Sequence, residues 1–196
     1  MTPFEYILPL VSVLVGLAIA DPAVSIHRLL RARHRVRWDW LPLAVALLAV
    51  LAVLELWWIF YASREAAFFT TLGGFLPLAA QLILVFLLTA AALPDTVPAD
   101  GLDLRAFYDA NGPYFWSLYA VYLAFIIAFR IISFLRGTVP NVTGIAGAAL
   151  SLVPSVVLLA LFVALARVRR RRFHTVAVLA LLALFLAQWS GLQLAA

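Results

Sequence analysis

The chain has no cysteine and no lysine. Without thiols there is no disulfide, no thiolate metal site and no cysteine nucleophile. Without lysine, all 14 basic residues are arginines, and ten of them crowd into two short stretches between apolar runs. Charge of either sign is scarce: charged residues make up 12% of the chain, where a soluble domain carries about 25%. Histidine occurs three times, as His27, His34 and His174. No two of them share a helix face at ligand spacing, so neither a metal nor a haem site is expected. The phosphate-cradling, nucleophile-elbow and zinc-protease motifs GxGxxG, GxSxG and HExxH are missing, as is a Walker loop. No catalytic residue and no cofactor is therefore assigned.

Apolar residues are abundant. They make up 66% of 196 residues, with a mean hydropathy of +1.09. A chain of this size buries only about 70% of its surface even when well folded, so water could not accommodate it. A lipid bilayer fits as the solvent and first partner. The net charge of +5 would draw nucleic acid on a soluble protein. Here no soluble module exists to carry such binding, and nucleic acid is not an expected partner. The clustered arginines read as topology, because they hold short loops on the cytoplasmic side and meet anionic head groups.

Six apolar runs give the expected fold class, an all-α polytopic membrane protein of one six-helix domain. The spans are placed at about 4–20, 41–61, 68–93, 113–135, 142–166 and 175–194. The first run lacks a basic lead-in and holds Glu5 there instead, which favours a retained span over a cleaved signal. It ends at Asp21-Pro22, where proline is either tolerated or opens a new helical segment. Ala23–Leu30 then reads as an interfacial amphipathic turn or an emerging helix extension. In the second span Asp39 is an expected N-cap, with Pro42 in the first turn. Trp38 and Trp40 mark one interface, and Trp57, Trp58 and Tyr61 the other. Leu102–Tyr108 is expected as a separate surface helix before a fourth span opening at Pro113.

Several short motifs resemble a family of small uncharacterised bacterial multi-pass inner-membrane proteins. They are Phe4-Glu5-Tyr6, Gly16-Leu17-Ala18-Ile19, the basic connector, Trp57-Trp58 closing the second span, Pro94-Asp95 and Phe107-Tyr108. The resemblance covers the first half of the chain. It implies a bacterial inner membrane and carries over no functional residue.

With both termini outside, the first, third and fifth connectors are cytoplasmic. They hold eleven of the 14 arginines: five between Arg28 and Arg37, then Arg105, then five between Arg167 and Arg172. Arg64, Arg130 and Arg136 fall on the other side. This orientation, with the Arg-rich loops 27–37 and 167–172 inside, satisfies the positive-inside rule. A 3+3 division of the spans would give halves of opposite topology, the plan of inverted-repeat transporters.

The residues that could carry chemistry are the polar ones inside spans. Glu55 lies 15 residues beyond Trp40, about 22 Å at ~1.5 Å per residue. Arg130 lies 17 residues beyond Pro113, about 25 Å from the same interface. Glu5 opens the first span on the outer side. An unpaired charge near mid-membrane costs at least about 2.5–3.5 kcal/mol. A Glu55–Arg130 pair, with Glu5 as a second acceptor, would offset that and line a polar pocket open to the outer face. The plainer alternatives are a register-fixing ion pair, or an Arg130 that snorkels alone. Gln81, near mid-membrane, is either a solute ligand or a hydrogen-bond partner of Ser151 or Ser155. Asp21 and His27 are a secondary pair: an inner gate or relay, or more simply a cap for a segment starting at Pro22 beside a surface histidine. His34 and His174 are expected to be solvated within their arginine runs. Pro77 and Pro154 interrupt two spans, and the Gly/Ala-rich fifth span offers a close-packing face.

Two functions remain open. One is a small transporter or channel-like protein for an ion or small polar solute. The other is a non-catalytic membrane subunit that docks partner helices, lipid or pigment. Either is expected as a homo-oligomer or with a partner membrane protein.

Overall fold

The computed structural model describes residues 2–64, 71–136 and 144–189. Six long helices dominate them: α1 (Pro3–Arg31), α2 (Trp40–Ala62), α3 (Leu72–Ala92), α4 (Leu104–Leu135), α5 (Gly144–Arg167) and α6 (Arg171–Trp189). All six are long and apolar enough to cross a membrane. The expected span ends at 68–70, 142–143 and 190–194 lie outside the described residues.

Four of the helix starts have a side-chain cap. Thr2 and Glu5 close a reciprocal capping box at the head of α1, with Thr2 N–H donating to Glu5 Oε2 at 2.8 Å. Asp39 caps α2 by accepting from Leu41 N–H at 2.9 Å, as expected. Thr71 caps α3 and Asp103 caps α4.

Three boundaries differ from expectation, each at a proline or an arginine run. Helix α1 does not stop with its apolar run at Asp21-Pro22 but continues to Arg31, so Ala23–Leu30 is the helix extension and not a separate interfacial turn. Pro22 removes one N–H donor and the flanking turns carry the helix on. Asp21 is thus an interior helical residue and not the cap of a new segment. Helix α4 starts at Leu104 and passes through Pro113, so the expected separate surface helix and the fourth span are one 32-residue helix. Helix α6 begins inside the second arginine run, at Arg171 rather than Thr175.

Helix α1 packs on α3 and α2, α3 on α2 and α4, α5 mainly on α4, and α6 on α2. Helices α5 and α6 follow each other in sequence yet do not pack closely together. The core between the helices is apolar, with Leu48, Val53, Leu82, Leu88, Phe115 and Trp116 fully buried.

The first and third connectors meet at one end of the bundle. A two-residue strand β1 (Val36–Arg37) pairs in parallel with β2 (Leu102–Asp103). Arg37 lies 3.5 Å from the Asp103 carboxylate, and Arg28 donates to the Asp95 carbonyl at 2.7 Å. Gly101 makes the approach possible. Its φ is +103°, and a Cβ there would come within 2.9 Å of the Arg35 carbonyl oxygen. The fifth connector joins the same end through an ion pair between Arg171 and Asp39. Both arginine-rich stretches therefore sit at one end of the molecule.

Candidate functional site

The helix directions decide where a cavity can form. Helices α2, α4 and α6 start at the arginine end, while α3 and α5 start at the opposite end. A cavity of about 610 Å³ is lined by the later parts of α2, α4 and α6, the earlier part of α3 and the middle of α5. Its place is thus the half of the bundle away from the arginine connectors. Most of its wall is apolar, including Leu56, Ile59, Leu78, Leu123 and Ile126. Set into that wall are Glu55, Gln81, Arg130, Ser155 and Gln188, together with Tyr119 and Tyr122. An apolar cavity with a few polar groups is the usual make-up of a small-molecule site.

Three of the expected residues, Glu55, Arg130 and Gln81, line this one cavity. Glu55 and Arg130 do not pair with each other. Glu55 Oε1 accepts from Gln188 Nε2 of α6 at 3.4 Å. Arg130 donates to Ser155 Oγ at 3.5 Å, to the Ser151 carbonyl at 3.4 Å and to Ser151 Oγ at 3.5 Å, all on α5. These hydrogen bonds are long, and a charge-assisted bond at full strength is nearer 2.7–2.9 Å. Each charge thus has a neutral partner on a different helix and retains capacity for another ligand. Gln81 makes no hydrogen bond to Ser151 or Ser155, whose hydroxyls lie by the guanidinium instead.

The other expected residues fall elsewhere. Glu5 is engaged in the capping box of α1, a helix that contributes nothing to the cavity wall. Phe4 beside it stacks on Phe60 at 4.8 Å, which does place it at the Glu55 end. Asp21 is half-buried within α1 near Arg28 and Asp95, and His27 is exposed. Neither lines the cavity around Glu55 and Arg130. His34 is exposed, as expected.

His174 is the clear correction. It is 6% exposed, not solvated. Its Nε2 lies 2.6 Å from the Val168 carbonyl and its Nδ1 lies 2.7 Å from the Tyr108 hydroxyl. A carbonyl only accepts, so Nε2 carries the proton and Nδ1 accepts from Tyr108. The Tyr108 oxygen in turn accepts from the Trp116 indole at 3.0 Å. One buried chain of hydrogen bonds thus runs from Trp116 through Tyr108 and His174 to Val168.

Trp116 also belongs to an aromatic stack. Its ring lies 5.7 Å from Phe162 and 6.0 Å from Tyr119. Tyr119 and Phe162 line the large cavity, while Tyr108 and His174 line a smaller one of about 310 Å³ at the arginine end. The stack separates the two.

Gln188 was missed as a site residue, although depth counting could have found it. It lies 16 residues beyond Arg172, about 24 Å at ~1.5 Å per residue, which is the level of Glu55 and Arg130. Tyr119 and Tyr122 carried no such signal, since buried tyrosines are common in any aromatic-rich helix. Among the described residues, no cluster of His, Asp or Glu has the make-up of a metal site.

No family model, curated protein or solved structure matches the chain. The geometry above therefore carries the functional reading.

Proposed function

We propose that this is an integral membrane protein that binds and passes an ion or small polar solute through the cavity around Glu55 and Arg130. The observation that carries the reading is that an acid and a base line one cavity without neutralising each other. Glu55 is half-buried and Arg130 exposed; opposite charges in one cavity that served only packing would close on each other, because separation forfeits their Coulomb attraction. Glu55 and Arg130 instead lean on amide and hydroxyl groups of α6 and α5. A solute carrying both an acidic and a basic group suits such a site.

In this reading both termini face outward and the arginine end is cytoplasmic, so the site opens to the outer half of the membrane. The membrane is the inner membrane of a bacterium, on the resemblance of the N-terminal motifs. The 3+3 plan is supported by the lengths of α1 and α4, the first helix of each half, at 29 and 32 residues. The packing weighs against it, since α1 and α2 both lie on α3, whereas their counterparts α4 and α5 do not pack closely on α6.

The test is flux into liposomes that hold the purified protein and a pH-sensitive dye, challenged with inorganic ions and zwitterionic amino acids. Glu55→Gln is expected to abolish solute-dependent flux, and Glu5→Gln to leave it intact. Full flux in Glu55→Gln would remove that residue from the mechanism.

The accessory reading has its own support. Helix α5 leaves Leu150, Val153, Val156 and Val157 exposed, and the loose α5–α6 seam borders the cavity. A partner helix or a second copy would cover that face. Co-purification with a stoichiometric partner, together with no flux for any solute, would favour it.

A further inference from the structure

The second cavity, at the arginine end, is built from different chemistry. It lies between the start of α4, the end of α5 and the start of α6, and holds about 310 Å³. Arg105, Arg169 and Arg171 line it, with Tyr108, His174 and one carboxylate, Asp109. Arg105 and Arg169 close no salt bridge and no side-chain hydrogen bond with another described residue. Arg171 spends one nitrogen on Asp39, while its Nη1 is buried without a partner. The lining thus holds more guanidinium donors than acceptors. The first turn of α6 starts at this cavity and adds the positive end of its dipole.

We propose that this cavity binds a phosphate group. Guanidinium forks match phosphate oxygens in pairs, and basic pockets between helices at the cytoplasmic side are suited to anionic head groups. Tyr108 and His174 have spent their hydrogens on one another and on Val168, so they shape the wall and the arginines supply the binding. Asp109 opposes the ligand and sets an upper limit on affinity. The group arrives either on a phospholipid or as a free phosphate. The site is independent of the Glu55 cavity, because the aromatic stack lies between them.

The experiment uses the full chain, purified in a neutral detergent and washed free of bound lipid. Its thermal unfolding is followed with inorganic phosphate, with phosphatidic acid micelles, and with chloride or phosphatidylcholine at matched ionic strength. Saturable stabilisation by phosphate, phosphatidic acid or both is expected, and chloride and phosphatidylcholine should give none. A response to both probes identifies the phosphate group itself as the ligand. A response to phosphatidic acid alone identifies the head group. Arg105→Gln with Arg169→Gln should weaken the response at least tenfold without changing the unfolding midpoint in chloride, since both side chains are exposed. Asp109→Asn should strengthen it, and Arg136→Gln, at the other end of the bundle, should leave it unchanged. No stabilisation by either probe, or an undiminished response in the double variant, would overturn the proposal.

Discussion

Tyr119 and Phe162 lie face to face across α4 and α5, their ring centroids 4.4 Å apart and their planes within 7°. Two aromatic rings from different helices close the inner end of the Glu55 cavity. Trp116, fully buried, backs them on the arginine side. The pair therefore works as the partition between two cavities of opposite character, one mostly apolar and one basic.

If that partition is a barrier, removing one ring opens it. Phe162→Ala should destabilise the protein by about 3–5 kcal/mol, as large-to-small core changes do. It should also raise the passive proton leak of dye-loaded liposomes several-fold over the unsubstituted protein. An unchanged leak in a folded variant would mean that the stack fills space without sealing it.

The chain Trp116–Tyr108–His174 should behave as one unit. Tyr108→Phe leaves the Trp116 indole N–H without its acceptor and His174 Nδ1 without its donor. Each unsatisfied buried group costs about 1–3 kcal/mol. His174→Phe should cost a similar amount, and the double variant less than the sum, with a coupling of about 0.5–3 kcal/mol. Chemical unfolding of the four proteins in one detergent gives the cycle directly. Additive losses would show that the two side chains act separately.

Asp39 serves two elements at once, as the cap of α2 and the charge partner of Arg171. Asp39→Asn keeps a capping oxygen and loses the charge. Asp39→Ala loses both, and should be less stable than Asp39→Asn by about 0.5–2 kcal/mol, the value of a cap. Equal stabilities would mean that the oxygen at this position contributes nothing to α2.

Asp103 gives the arginine end a pH dependence. The Ala106 backbone N–H, then that of Arg105, and the nearby Arg37 hold its carboxyl below its ordinary value. A carboxyl depressed in the folded state adds stability above its unfolded value, about 3.9. That contribution is lost as pH falls through the folded value. The junction of β1 and β2 should loosen in acid, read as faster amide exchange at Val36 and Arg37. In Asp103→Asn the acid-dependent part of that change should be smaller.

How much of this was legible in the sequence follows from how far apart the interacting residues are. Runs of some twenty apolar residues announce a helix locally, so six helices were readable from Leu41–Tyr61 and its counterparts. Asp39 as a cap was readable because its partner is two residues away. Prolines misled: Pro22 and Pro113 look like boundaries, yet one missing N–H does not end a helix whose neighbouring turns are intact. Glu55, Gln81 and Arg130 were found by counting depth along separate helices. Depth does not reveal rotation about the helix axis, so the partners of Glu55 (Gln188) and of Arg130 (Ser151 and Ser155) were not identified. His174 was misread because the arginines beside it signal solvent, while the residue that buries it, Tyr108, is 66 positions away.

The central claim is that the cavity around Glu55 and Arg130 is reached from the side opposite the arginine connectors. The chain has no cysteine, so a single introduced thiol can be followed without background. Ser155→Cys places it beside Arg130 in the cavity wall, and Val168→Cys places one at the arginine end. In membrane vesicles of both orientations, a membrane-impermeant maleimide should reach the first thiol only from the outer side and the second only from the cytoplasmic side. Labelling of the Ser155→Cys protein from the cytoplasmic side alone, or from neither side while the Val168→Cys protein reacts, would contradict the account.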